Sequence, residues 1–239
     1  MRKPLFILII SAILLCIIIM QGCNAKTAGV EPCVKNEDGV LKLPDPEHDS
    51  DVSVERALYN RRSVREFNDE PVTLDEISQV CWAAQGITDN ARSLRTAPSA
   101  GALYPLEVYI VSGDVSGLLP GVYRYMPEVH GLTRIVDGDK RIELCAASLS
   151  QSSILEAPAC LVFSAFYKKT TQKYGERGIQ YVHLEAGHAA QNVFLQVVSL
   201  GLGTVTIGAF NDSEVRELLK MLTDEQPLYI MPIGRVASK

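Results

Sequence analysis

The chain has 239 residues, 47% of them hydrophobic, 21% charged and 7% aromatic, with 23 basic against 28 acidic side chains and a formal net charge of −5. This composition excludes a disordered chain, a collagen-like repeat and a disulfide miniprotein, and it leaves room for a domain with a sizeable core. The acidic balance argues against nucleic acid as a partner, since there is no basic surplus to release phosphate counterions, while the mean hydropathy of +0.09 is high for an acidic chain and calls for a local cause.

That cause is N-terminal. Arg2 and Lys3 precede an apolar run from Leu5 to Met20, which ends at Gln21-Gly22-Cys23. A positive start, an apolar stretch and a small residue before a cysteine are expected of a lipoprotein-type signal over residues 1–22, with Cys23 as the lipidated residue. An uncleaved anchor and ordinary cleavage after Ala25 are the other readings, although the run is shorter than the roughly 20 residues of a spanning helix. All three place the remainder outside the cytoplasm, because the positive end stays inside, and the lipoprotein reading also holds it to a membrane. Residues 23–50 are polar and without apolar period, so they read as a tether, and residues 51–239 as the domain. Cys16 and Cys23 belong to the signal region and Cys33 to the tether. No cysteine pair has zinc-site spacing, so Cys81, Cys145 and Cys160 are expected to be small buried hydrophobes.

Within the domain, Ser53 opens a short helix toward Asn60. Thr73-Leu74-Asp75-Glu76 has capping-box spacing ahead of a helix with Leu74, Ile77, Val80, Cys81 and Ala84 on one face. Glu107 to Ser112 reads as a strand, and Gly121–Tyr125 with Leu132–Val136 as a hairpin. Arg141 to Leu149 is expected to be helical, and Ala159 to Phe166 a buried strand. The strongest helix runs from Ile179 to Leu200 and is closed by Gly201. Gly203 to Ile207 is a strand, Ser213 to Met221 a helix and Leu228 to Ile233 a last strand. The sum is an α+β fold with a central mixed or antiparallel sheet, because the hairpin breaks any uniform βαβ alternation.

Several motifs are set aside on geometry. His183 and His188 lie five apart, so at ~100° per residue they diverge by roughly 140° and cannot share a metal as an i, i+4 pair would. Gly201, Gly203 and Gly208 lack the spacing and strand-to-helix order of a dinucleotide loop. No Walker lysine and no Gly-x-Ser-x-Gly elbow is present. What stands out in an acidic chain is Arg61-Arg62-Ser63-Val64-Arg65, three guanidiniums and a hydroxyl suited to a phosphate. Ala97-Pro98-Ser99-Ala100-Gly101-Ala102 is a run of small residues that lets backbone approach a flat ligand. Thr206 to Phe210 offers the same at a strand end, and Arg235 adds a late cation.

Together these segments resemble the FMN-dependent nitroreductase family, and within it the SagB-type dehydrogenases. The resemblance is carried by Arg61 to Phe67 with Pro71-Val72 and Leu74 to Ile77, by Ala97 to Glu107, by Lys173-Tyr174-Gly175-Glu176-Arg177-Gly178, by Leu184 to Asn192 and by Gly201-Leu202-Gly203, over roughly residues 53–235. It implies a nitroreductase-like flavin fold, usually a homodimer, holding FMN and acting on a small-molecule substrate. By position, Arg61, Arg62, Ser63, Arg65 and Arg235 would hold the FMN phosphate and ring edge. Pro98, Ser99, Ala100 and Gly101 would line the ring or ribityl chain, and Ile207, Gly208 and Ala209 would lie near flavin N5. Lys173 and Tyr174 would be the catalytic pair that removes a proton while the flavin takes hydride. The electron partner is left open among NAD(P)H, a quinone and oxygen.

Overall fold

The computed structural model describes residues 39–237. The expected signal, Cys16, Cys23, Cys33 and the first part of the tether lie outside the described residues. One antiparallel sheet carries β1 (Val40–Lys42), β2 (Leu106–Ser112), β3 (Gly121–Met126), β4 (Gly131–Asp137), β5 (Ala159–Ala165), β6 (Leu202–Thr204) and β7 (Gln226–Arg235). Their spatial order is β1-β4-β3-β2-β5-β7-β6. The helices are α1 (Val54–Asn60), α2 (Leu74–Gln85), α3 (Arg141–Ala147), α4 (Ser153–Glu156), α5 (Tyr167–Tyr174), α6 (Arg177–Ser199) and α7 (Asp212–Leu218). The α+β expectation and the hairpin, now β3 and β4, both hold.

The sheet is covered on both faces, which is why its central strands read as unbroken apolar runs. Alternate residues of a strand point to opposite sides. Leu106, Val108 and Ile110 of β2, with Leu161 and Phe163 of β5, meet the apolar faces of α2 and α6. Tyr109 and Val111, with Cys160 and Val162, meet α3, α4 and α7 through Leu144, Ile154 and Val215. The three described cysteines are free and buried, as expected, and burial pushes the Cys81 and Cys160 thiols up. The predicted caps also form. Thr73 Oγ1 accepts from the Glu76 N–H while the Glu76 carboxylate accepts from the Thr73 N–H.

Part of the stretch read as a tether is folded into the sheet. Val40, Leu41 and Lys42 pair with Thr133, Leu132 and Gly131, and Leu41 and Leu43 are buried. His130, at φ 43° between β3 and β4, fastens the chain just past β1 at Pro44. Its Nδ1 accepts from Tyr125 O–H at 2.8 Å, while its Nε2 lies 2.7 Å from Ser78 Oγ and 3.0 Å from the Pro44 carbonyl. Because a carbonyl can only accept, Nε2 carries the proton, and burial holds the imidazole pKa below its ordinary value. Ser78 Oγ also donates to Pro44 O at 2.6 Å, and Gln79 holds Glu47 through both main-chain groups. A three-residue strand has no periodicity to reveal it; its place is fixed by partners 32 or more residues away.

Candidate active site

Helix α6 is 23 residues long, about 34 Å at 1.5 Å per residue, and residues singled out in the sequence gather near both of its ends. Near the C-terminal end, Arg61 terminates α1, donating its N–H to Ala57 O, and lays its guanidinium over the Phe194 ring at 5.1 Å. Arg62 Nη1 donates to the Tyr59 and Arg61 carbonyls. Ser63 bridges Thr204 of β6, and the Val64 N–H donates to Thr204 O at 2.9 Å. Gly203 makes this approach possible, since a Cβ there would stand 2.8 Å from the Val64 side chain. Arg62, Ser63 and Val64 then line a groove of about 510 Å³ with Val197, Gly201 and Gly203. Among the described residues neither Arg62 nor Arg65 has a carboxylate partner, and both are exposed. Arg62 is the guanidinium that lines the groove, and one without a carboxylate partner there is suited to an anion.

Arg235 departs from the sequence reading. Its Nη2 lies 2.9 Å from Glu76 Oε1 and its Nε 3.3 Å from Glu70 Oε2, so its charge is already answered by two carboxylates. It joins the chain end to the start of α2 and is not one of the unpaired arginines.

Near the N-terminal end of α6 lies the small-residue turn. Gly101, Ala102 and Tyr104 take φ values of 63°, 53° and 45°, with Leu103 between them right-handed at φ −87°, and each left-handed non-glycine position costs about 1–2 kcal/mol. Ser99 holds it together: its Oγ donates to Glu185 Oε2 at 2.5 Å and accepts from the Tyr104 N–H at 2.9 Å. The Arg95 guanidinium lies 4.8 Å over the Tyr104 ring. Pro98 is exposed and Ala100 half-buried beside it.

Lys173 and Tyr174 close α5, where Gly175 at φ 57° and ψ −147° ends the helix. A Cβ on Gly101 would stand 2.8 Å from Lys173 Nζ and 2.7 Å from Tyr174 Oη. The two predicted segments, over 70 residues apart in sequence, therefore converge on one glycine. The Tyr174 ring rests edge-on against Tyr181 at 5.1 Å.

Ile207 exchanges both backbone bonds with Ile230 of β7 at 2.8 and 2.9 Å. Gly208 and Ala209 beyond it are exposed, and their N–H groups have no hydrogen-bond partner among the described residues. His183 Nε2 lies 2.6 Å from Tyr167 Oη, and His188 is exposed.

Glu185 was missed from the sequence. It is 2% exposed, and burial outweighs the Ser99 bond to push its carboxyl up to about 7. Its Oε1 is buried without a partner among the described residues. A carboxylate within the apolar stripe Val182-Ala186-Ala189 was the available signal.

The nitroreductase family model matches residues 58–235. MJ1384 of Methanocaldococcus jannaschii, a protein named as a nitroreductase, is 50% identical over 195 residues, covering 82% of this chain and 96% of that one. The microcin B17-processing protein McbC of Escherichia coli is 29% identical over 132 residues, 53% of this chain and 48% of McbC, so the match spans about half of that relative. A crystal structure from Ralstonia eutropha JMP134, described as a nitroreductase, superposes with a TM-score of 0.74 at 32% identity, covering 87% of this chain and 94% of that one. The fold, the converging segments and these matches agree: the chain belongs to the nitroreductase family of flavin-dependent oxidoreductases.

Proposed function

We propose that this protein is an FMN-dependent oxidoreductase of the SagB-type dehydrogenase kind, working as a homodimer. The observation that carries the reading is the seating of Lys173 Nζ and Tyr174 Oη against Gly101. The donor set fits a flavin mononucleotide. Arg62 and Arg65 with the Ser63 hydroxyl would take the phosphate, and the unbonded N–H groups of Gly208 and Ala209 would face the polar edge of the ring. When bound, the flavin supplies a hydride acceptor at N5. Lys173 or Tyr174, in its unprotonated form, would take the proton from the substrate atom next to the one that gives up hydride, so that a double bond forms between the two atoms, and the turn holds that pair in place. The similarity to McbC, a processing protein, supports the dehydrogenase direction. The similarity to MJ1384 favours a second reading, reduction of nitro compounds or quinones with NAD(P)H.

The absorbance spectrum of the purified protein, with and without added FMN, tests the first link. A colourless protein after reconstitution overturns the flavoenzyme reading and leaves a partner-binding role. Anaerobic reduction by NAD(P)H against a quinol then separates the two directions. Residues 1–22 are proposed to be a lipoprotein signal that leaves Cys23 lipidated and the domain on the outer side of a membrane. Loss of a diacylglyceryl mass shift in Cys23→Ala is the expected result, and an unchanged mass overturns it.

A further inference from the structure

Glu185 is the least comfortable polar group described in the molecule. It is a buried carboxyl on the apolar face of α6, with one oxygen bonded to Ser99 and the other unpartnered among the described residues. Such a group costs folding free energy whatever its role, so its presence in an apolar stripe calls for an explanation. Its single bond leads into the turn through an unbroken chain. Glu185 Oε2 accepts from Ser99 Oγ, and Ser99 Oγ accepts from the Tyr104 N–H, which spans the left-handed residues. Gly101, at the middle of that span, is the surface on which Lys173 Nζ and Tyr174 Oη rest.

We propose that Glu185 is the positioning residue of the active site: through Ser99 it holds the 99–104 turn in its left-handed form, and its charge sets how firmly Lys173 and Tyr174 are seated. This rests on the reading of Lys173 and Tyr174 as the proton-removing pair. An ionised Glu185 fixes the Ser99 hydroxyl as a donor toward α6 and leaves the Ser99 lone pairs for Tyr104. A neutral Glu185 weakens that bond by removing the charge. Burial pushes the carboxyl up to about 7, which brings its ionisation into the range between pH 6 and 8. Arg95, ahead of the turn, and Lys169, from α5, both act on it and favour the charged form. Lys173 and Tyr174 approach the same turn from the end of α5, Tyr104 closes it, and Tyr181 and His188 stand one turn before and one turn after on α6.

The test uses the full-length protein and does not depend on turnover. Acylation of Lys173 by a water-soluble N-hydroxysuccinimide ester is followed by peptide mass spectrometry, with the exposed Lys220 as internal reference. In the wild type the Lys173-to-Lys220 rate ratio is expected to fall at least about threefold between pH 6 and 8, as Glu185 ionises and the turn tightens. In Glu185→Gln, and in Ser99→Ala should the first variant fold poorly, the ratio is expected to be high and flat. A flat wild-type ratio, or an equal fall in a folded variant, overturns the proposal. Reconstituted with FMN, the wild type is expected to show a kcat inflection in the same range that Glu185→Gln lacks, with flavin affinity unchanged. If Lys173→Ala retains full turnover, the catalytic assignment of Lys173 fails, yet the labelling ratio still decides what Glu185 does.

Discussion

The two ends of α6 hold complementary kinds of machinery. Near its C-terminal end, Arg62, without a carboxylate partner among the described residues, lines a groove with Ser63 and Glu66, and backbone lies flat on backbone because Gly203 has no side chain. Near its N-terminal end, the Glu185 carboxyl is buried, three residues of the turn are left-handed and the Ser99–Glu185 link is short. Val197, in the groove, and Glu185, under the turn, are twelve residues apart on one helix, about 18 Å along its axis. A rigid helix therefore sets a fixed spacing between a place suited to binding an anion and a place suited to moving a proton. Affinity and chemistry should separate when either end is altered.

The largest effect belongs to the chemical end. Lys173→Ala or Tyr174→Phe should lower substrate oxidation by about 10²-fold or more while flavin affinity stays within error. Stopped-flow reduction beside a fluorescence titration checks both, and weakened flavin binding would erase the separation. At the other end, Arg62→Ala or Arg65→Ala alone should weaken FMN binding by roughly 10- to 100-fold and reduce its salt dependence, since a charge-assisted bond contributes about 1.5–3 kcal/mol. The Lys173 labelling pattern should not change.

Gly101→Ala tests whether the turn is truly the seat of the pair. The added methyl would meet Lys173 Nζ and Tyr174 Oη at 2.8 and 2.7 Å, at a φ of 63°. Activity should fall about tenfold and stability by about 1 kcal/mol, read as kcat and a denaturant midpoint. Arg235→Gln should cost only about 0.5–1 kcal/mol of stability and leave FMN affinity intact, because its partners are Glu70 and Glu76. A tenfold loss of affinity there would restore it to the phosphate site.

The smallest effect lies away from α6. The folded-state pKa of His130 is depressed, so the unfolded chain takes up this proton first. Its contribution is complete above the unfolded value of about 6.5 and is lost as pH falls through the depressed folded value. His130→Gln should flatten the acid limb of a stability-versus-pH curve.

Much of this was legible in the residues. The Thr73–Glu76 box and the long helix ending before Gly201 each have a local cause, and each is found where expected. Helix α5 was not foreseen, because Tyr-Lys-Lys-Thr-Thr-Gln-Lys-Tyr has almost no apolar period and buries Thr170 alone. Strand β1 was not foreseen because its partners are distant. Arg235 looked free because nothing local announces Glu76, 159 residues away, as its partner. Glu185 escaped for the opposite reason: a carboxylate in a helical stripe looks like a solvated residue until the Ser99 turn closes over it.

Strand β1 also has a mechanical consequence. It is three residues long and stands at one edge of the seven-strand sheet, whereas Ser63 joins β6 at the other. Six strand spacings of about 4.8 Å separate those edges, roughly 29 Å. A pull transmitted along the chain into Val40 would be met first by three residue pairs, then by the Ser78–His130 clasp on Pro44. Tension at that edge can peel the short strand while the arginine groove, six strands away, keeps its shape.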